Sequence, residues 1–133
     1  MKLEEQIVSL ELAKKLKQLG FSQESLFKWG NVFDHAFMGD DVERPEPEIR
    51  YQYLRGTSQF ETFKPICSAY TVAELGEMLP QKFYSFLSKD TGHAWCYISD
   101  SSKFAFVQNT MAMTEADARA KMLIHLKEND LIK

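Results

Sequence analysis

Several classes of protein are excluded by what this sequence has little of. It contains two cysteines, four prolines and six glycines in 133 residues, so it is not a disulfide-framework, collagen-like or low-complexity chain. No apolar run approaches the ~20 residues that span a bilayer, and the acidic N-terminus lacks the features of a secretory signal. We therefore expect a cytoplasmic protein that is not inserted in a membrane, with Cys67 and Cys96 as reduced thiols.

An excess of basic charge is also missing. Sixteen lysines and arginines against nineteen aspartates and glutamates give a net charge of −3, so no general positive field recruits nucleic acid. Glycine-rich phosphate-binding loops are absent as well, which leaves nucleotide hydrolysis without support. A local basic and aromatic set still leaves nucleic-acid binding as a third, disfavoured hypothesis. Its members are Lys14, Lys15, Lys17, Arg50, Tyr51, Tyr53 and Arg55.

The remaining composition, 44% hydrophobic and 26% charged, is that of one soluble domain covering residues 1–133. The sequence predicts three main helices, at about 9–20, 71–79 and 114–128. A hydroxyl residue that can cap the first turn precedes each, and Glu74 stands at capping-box distance from Thr71. Gly20 and Pro80 supply stop signals for the first two helices.

Between the second and third helices, the hydrophobic period changes from that of a helix to two. This alternation, broken twice by turn-forming residues, predicts a three-stranded antiparallel meander over about 82–108. Its strands are Lys82–Ser88, His93–Ser99 and Lys103–Gln108. A further strand is predicted at residues 49–54. The order of elements indicates an α+β fold with an antiparallel or mixed sheet and helices packed mainly on one face.

One segment, Asp34–Glu48, is strongly acidic, with six carboxylates against Arg44 alone. Two prolines within it favour an exposed loop. Clustered oxygen ligands suit hard divalent cations, so Asp40 and Asp41 are candidate metal ligands, with Asp34 and His35 as further members. The spacing matches no calcium-binding loop, and a solvated acidic loop without a metal is the competing interpretation.

The second strand of the meander carries a candidate binding surface. Alternation places His93, Trp95 and Tyr97 on one face of the strand, while Cys96 lies on the other face. His93 and Cys96 therefore cannot easily meet, and a core cysteine with a sheet-surface histidine is favoured over a catalytic pair or half of a zinc site. Aromatic side chains with a polar tip suit contacts with peptides or bases, although an aromatic core is the alternative.

A second aromatic pattern consists of Trp29, Phe33 and Phe37, which recur every four residues. This spacing indicates a helix stripe that packs in the core or forms a contact between copies of the chain. Trp29 is accordingly included among the candidate binding residues.

Four runs of this sequence resemble those of small phage- and prophage-associated proteins of gut bacteria. The runs are Ser9–Phe21, Gln23–Trp29, Thr71–Pro80 and Thr114–Ile124. The resemblance implies a cytoplasmic protein carried by a mobile element. That family has no assigned catalytic residues, so it implies no site, and the acidic segment lies outside the resemblance.

The sequence favours a non-catalytic interaction module that binds a protein partner or itself through an aromatic surface. Aromatic content without any converging catalytic set is the observation behind this hypothesis, and neither catalytic residues nor a cofactor is predicted. The alternative is a metal-assisted accessory hydrolase that uses carboxylates of the acidic segment, such as Asp40, Asp41 and Glu43.

Overall fold

The structure is a computed structural model that describes residues 2–36, 38–51, 60–80, 83–88, 90–98 and 108–132. The helices are α1 (Leu3–Gln6), α2 (Leu10–Gln18), α3 (Val72–Met78) and α4 (Glu115–Glu128). The strands are β1 (Phe27–Asp34), β2 (Val42–Glu43), β3 (Glu48–Tyr51), β4 (Glu61–Ser68), β5 (Phe83–Leu87), β6 (Ala94–Ile98) and β7 (Gln108–Ala112). The predicted α+β class is confirmed.

The first sheet is built around β1. Strand β4 pairs along one edge of β1, while β3 and then β2 pair along the other edge. The β1–β4 register shifts by one residue between Trp29 and Gly30, which is the position of a β-bulge. The four-residue spacing of Trp29 and Phe33 therefore belongs to a strand, and the predicted helix stripe is wrong for these two residues. Phe37 lies outside the described residues.

The second sheet is the predicted meander, in the order β5-β6-β7. Trp95 on β6 lies opposite Phe86 on β5 and Met111 on β7. Every strand pair in the described ranges of both sheets is antiparallel. The third strand was predicted at 103–108; of those residues Gln108 is described, and it opens β7.

The three main helices form where they were predicted. The capping box at α3 is present, because Thr71 Oγ1 accepts from the backbone N–H of Glu74 and the Glu74 carboxylate accepts from the N–H of Thr71. Thr114 caps α4 in the same way, at 3.1 Å from the N–H of Asp117. Ser9 occupies the N-cap position of α2, but its hydroxyl makes no capping hydrogen bond.

Helix α4 lies at the centre of the core. Its alanines 116, 118 and 120 are fully buried, which lets the helix approach β6 and β7 closely. It also packs against α2 and α3. Among the helices of the described part, none is both long enough and apolar enough to cross a membrane.

A short N-terminal segment, Ile7–Ser9, ties these layers together. Ile7 forms an isolated bridge with Thr71, and the N–H of Val8 donates to the carbonyl of Tyr70 at 3.0 Å. The N–H of Ser9 donates to Asp117 Oδ1 at 2.7 Å. These backbone hydrogen bonds therefore join the start of α3 to the first turn of α4.

Candidate functional site

The second sheet has one buried side and one outward side. Ala94, Cys96 and Ile98 are 0% exposed and belong to the core beneath α4. The alternate residues of the three strands point the other way, and we call their surface the aromatic face. Its described side chains are Phe86, Trp95, Tyr97, Asn109 and Met111.

The aromatic face is partly open to solvent. Phe86 is 46% exposed and Met111 is 42% exposed, while Trp95 and Tyr97 are half-buried. The rings of Phe86 and Tyr97 meet edge to face, with centroids 6.3 Å apart and planes at 79°. None of the described residues of this face carries a formal charge. The structure thus brings Trp95 and Tyr97 together with two exposed apolar neighbours that sequence reasoning did not select.

His93 and Trp29 occupy different positions from Trp95 and Tyr97. His93 lies in the turn before β6, where its N–H donates to Thr91 Oγ1 at 3.3 Å. Trp29 belongs to the first sheet, packs against the core and donates its indole N–H to the carbonyl of Val8 at 2.9 Å. Trp29 therefore fastens the N-terminal segment to β1.

The candidate metal ligands Asp40 and Asp41 are both exposed. Asp41 Oδ2 lies 3.9 Å from His35 Nε2, and that nitrogen is hydrogen bonded to Thr62 Oγ1 at 2.8 Å. Within the ranges that the structure describes, no group of three or more histidine, cysteine, aspartate and glutamate side chains is arranged to hold a metal ion. The metal site stays a prediction.

Several carboxylates of the first sheet form ion pairs with Arg44 or Arg50. Arg44 donates through Nε and Nη2 to both oxygens of Asp34, at 3.0 and 2.8 Å, and through Nη1 to Glu48 at 2.7 Å. It also contacts Glu61 at 2.9 Å, and Arg50 pairs with Glu48 and Glu61. The hydrogen bonds from Arg44 lower the pKa of Asp34. These carboxylates serve a charge network that joins β1, β3 and β4.

The described residues of the candidate basic patch contact different parts of the fold. Lys15 pairs with Glu128 at 3.5 Å, and Lys17 donates to the carbonyl of Ile66 at 2.7 Å. Arg50 belongs to the charge network. Tyr53 and Arg55 lie outside the described residues.

A cavity of about 580 Å³ opens beside the second sheet, and sequence reasoning did not find it. Its walls come from α1, from the first turns of α3 and α4, and from the turn between β5 and β6. Val72, Leu87 and Met113 supply apolar surface. Glu5 and Glu115 supply carboxylates.

A hydrogen-bonded cluster fixes one wall of this cavity. Ser85 donates to Glu115 Oε2 at 3.0 Å and accepts from Arg119 Nε at 2.9 Å. Arg119 also donates through Nη1 to the carbonyl of Val72 at 2.6 Å, and its Nη2 lies 3.7 Å from Glu115 Oε2. The carboxylate of Glu115 is consequently held in one orientation at the cavity wall.

Both cysteines are free and buried. Burial raises the pKa of Cys96 to about 11, although the nearby guanidinium of Arg119 acts in the opposite direction. Burial also raises the pKa of Cys67, against the opposing effect of Lys17. Both groups are therefore neutral thiols near pH 7, and neither has the character of a catalytic nucleophile.

Comparison with known proteins adds no relative from which a role can be transferred. No protein-family model, no curated protein and no solved structure matches this chain. Proposals about function therefore depend on the described side chains.

Proposed function

We propose that the protein is a small non-catalytic interaction module that binds a protein partner, or a second copy of itself, through the aromatic face. The observation that carries this proposal is the contrast between the two sides of β6. Its inward residues are 0% exposed, whereas the outward side of the same sheet leaves Phe86 and Met111 nearly half exposed.

Physical chemistry supports such a surface as a binding site. Burying an exposed aromatic or methionine side chain contributes up to about 1.5–3 kcal/mol, and aromatic residues are enriched among those that dominate interface energies. The described residues of the face are uncharged, so a partner that covers them avoids the cost of removing charges from water. Tyr97 and Asn109 add polar groups that can fix the orientation of a partner.

The alternative, a metal-assisted hydrolase, has less support from the contacts of the acidic segment. Two of its carboxylates, Asp34 and Glu48, accept hydrogen bonds from Arg44. An arginine at this position competes directly with a cation for the same oxygens. Asp40, Asp41 and Glu43, which the hydrolase hypothesis names, are exposed, and within the described residues they form no group arranged to hold a metal ion. We therefore prefer the interaction module.

We place the module in the cytoplasm of a bacterium that carries a phage or prophage, as part of the same proposal. The support for this placement is the resemblance of the four sequence runs given above. Native mass spectrometry of protein purified gently from its own host reports an oligomer, a bound partner and a metal adduct together.

The test uses two substitutions on the aromatic face, Phe86→Lys and Met111→Lys, with Phe60→Lys as the matched control. Phe60 is a phenylalanine that is 71% exposed and directly precedes β4 of the first sheet, where its carbonyl accepts from the N–H of His35. Sedimentation over a concentration series measures self-association. A partner captured from host extract is identified, purified and titrated against each variant.

We expect the two face variants to weaken self-association or partner binding at least about tenfold, and the control to leave it unchanged. Circular dichroism confirms that the variants are folded. A wild-type chain that remains monomeric, and whose purified partners bind the face variants normally, would contradict the proposal.

A further inference from the structure

We propose that the cavity beside the second sheet binds a small amphiphilic organic cation, that is, a primary amine attached to an apolar body. Its volume of about 580 Å³ falls within the range that encloses a small molecule. This site is separate from the aromatic face, so the proposal does not depend on the proposed function.

The apolar part of such a ligand matches the walls. Val72 at the start of α3, Leu87 at the end of β5 and Met113 before α4 all line the cavity. Leu87 and Met113 are large apolar side chains that are 48% and 67% exposed. A hydrocarbon body placed between them removes that surface from water, which favours binding.

The charge of the ligand follows from the carboxylates. Glu5 and Glu115 line the cavity, and none of the other described lining residues carries a charge. One oxygen of each carboxylate already has a partner, because Glu5 Oε2 accepts from the N–H of Lys2 and Glu115 Oε2 accepts from Ser85. The other oxygen of each carboxylate can accept from a cationic amine, whereas the two carboxylates repel an anion. The hydroxyl-bearing residues Ser88 and Thr114 can accept further hydrogen bonds from an ammonium group.

Arg119 orients the residues of the cavity wall but is not itself a lining residue. Its Nε and Nη1 hydrogens are directed to Ser85 Oγ and to the carbonyl of Val72. Because the guanidinium partly balances Glu115, the two carboxylates and this one arginine leave a net charge of −1, which suits a ligand with one positive charge. Holding Glu115 in a fixed orientation reduces the entropy lost when a ligand binds.

Titration of the full chain with 4-phenylbutylamine, followed by ¹H–¹⁵N NMR, tests the proposal. We expect saturable shifts at the amides of Gly92, Met113 and Glu115, and binding at least about tenfold weaker for 4-phenylbutyrate, which has the same body and the opposite charge. Equal binding of the amine and the acid, or binding of neither, would overturn the proposal.

Two variants locate the charge that is responsible. Glu115→Gln preserves the shape and the acceptor oxygen for Ser85, and we expect it to weaken amine binding about tenfold. Glu5→Gln leaves the Ser85–Arg119 hydrogen bond untouched, and we expect it to weaken amine binding by a smaller factor. This second variant keeps the charge argument testable if Glu115→Gln fails to fold. Unchanged affinity in both folded variants contradicts the charge argument.

A third probe distinguishes a free amine from the basic side chain of a protein. A pentapeptide with a central lysine flanked by leucines presents the same chemistry on a peptide backbone. We expect it to bind more weakly than 4-phenylbutylamine. Tighter binding of the peptide would assign the cavity to a protein partner and overturn the small-molecule proposal.

Discussion

The ring of Phe63 on β4 lies directly against the Cα of Gly30 on β1. A methyl group at Gly30 would overlap ring carbons of Phe63 and would stand 2.6 Å from the carbonyl oxygen of Lys64. This approach follows immediately on the β-bulge, which re-aims the strand at this position. The first sheet therefore depends on a glycine at a point where the chain has no turn.

Substitution of Gly30 with alanine should destabilise the protein by about 1–3 kcal/mol, because the added methyl forces the neighbouring strand to move. Urea unfolding followed by circular dichroism measures the change. Gly92→Ala is the control: its φ of 73° strains an alanine, but nothing lies within 4 Å of the new methyl. Phe63→Leu should relieve part of the Gly30→Ala penalty and none of the Gly92→Ala penalty. If Gly30→Ala lowers the free energy of unfolding equally in the wild-type and the Phe63→Leu proteins, the contact between Gly30 and Phe63 is contradicted.

Replacing Arg44 with methionine should lower the melting temperature, because Asp34, Glu48 and Glu61 then lose a shared cation. Arg44→Lys keeps the charge but not the paired hydrogen bonds to Asp34, and we expect an intermediate loss. Added salt should reduce the difference between wild type and the methionine variant. Lys15→Met, which breaks the single exposed pair with Glu128, is the control and should have a much smaller effect. A melting temperature unaffected by Arg44→Met would show that the network is not stabilising.

Acid should weaken the contribution of this network. The pKa of Asp34 is lowered in the folded chain, so its ion pair stabilises the protein above the unfolded pKa and is lost as the pH falls through the folded value. The stability difference between wild type and Arg44→Met should therefore shrink as the pH is lowered below about 4. A difference that is constant between pH 7 and pH 3 would argue against the ion pair.

Replacing Trp29 with phenylalanine should cost about 1–3 kcal/mol, because the carbonyl of Val8 loses its indole donor in a buried position. The free energy of unfolding in urea measures this cost. Trp95→Phe serves as the matched control, since Trp95 lies half-buried on the aromatic face and is expected to tolerate the change. Equal losses in the two variants would contradict the specific role of Trp29.

Alkaline pH should destabilise the fold through its buried thiols. The pKa of Cys96 is raised from 9.0 to about 11 by burial, so its neutral form stabilises the native state fully below pH 9. That contribution, up to about 3 kcal/mol, is lost as the pH rises through about 11. Urea unfolding between pH 8 and 11 should show the decline, and Cys96→Ala should flatten it. Burial also raises the pKa values of Cys67 and Tyr70, so a smaller slope remains in that variant.

The elements with local signals were predictable from the sequence. The capping box of Thr71 and Glu74 indicated the start of α3, and strict alternation over 94–98 separated the two faces of β6 while leaving open which of them is buried. The four-residue spacing of Trp29 and Phe33 misled because four is also a multiple of two, so a strand satisfies it as well as a helix does.

The sites assembled from distant segments were not predictable. Glu61 joins the charge network only because β4 pairs with β1, and nothing near Arg44 in the sequence indicates this. The cavity wall likewise combines Ser85 with Glu115 and Arg119. The four-residue step from Glu115 to Arg119 on one helix was the single local hint.

The hydrogen bond between Ser9 and Asp117 spans 108 residues of sequence. During translation, Ser9 can form this hydrogen bond only after both sheets and the first turn of α4 have been synthesised. Until α4 emerges, the inner side of β6 lacks the helix that covers it, and α2 packs against β4 without its second neighbour. Folding of this protein is consequently expected to be completed late, when α4 leaves the exit tunnel.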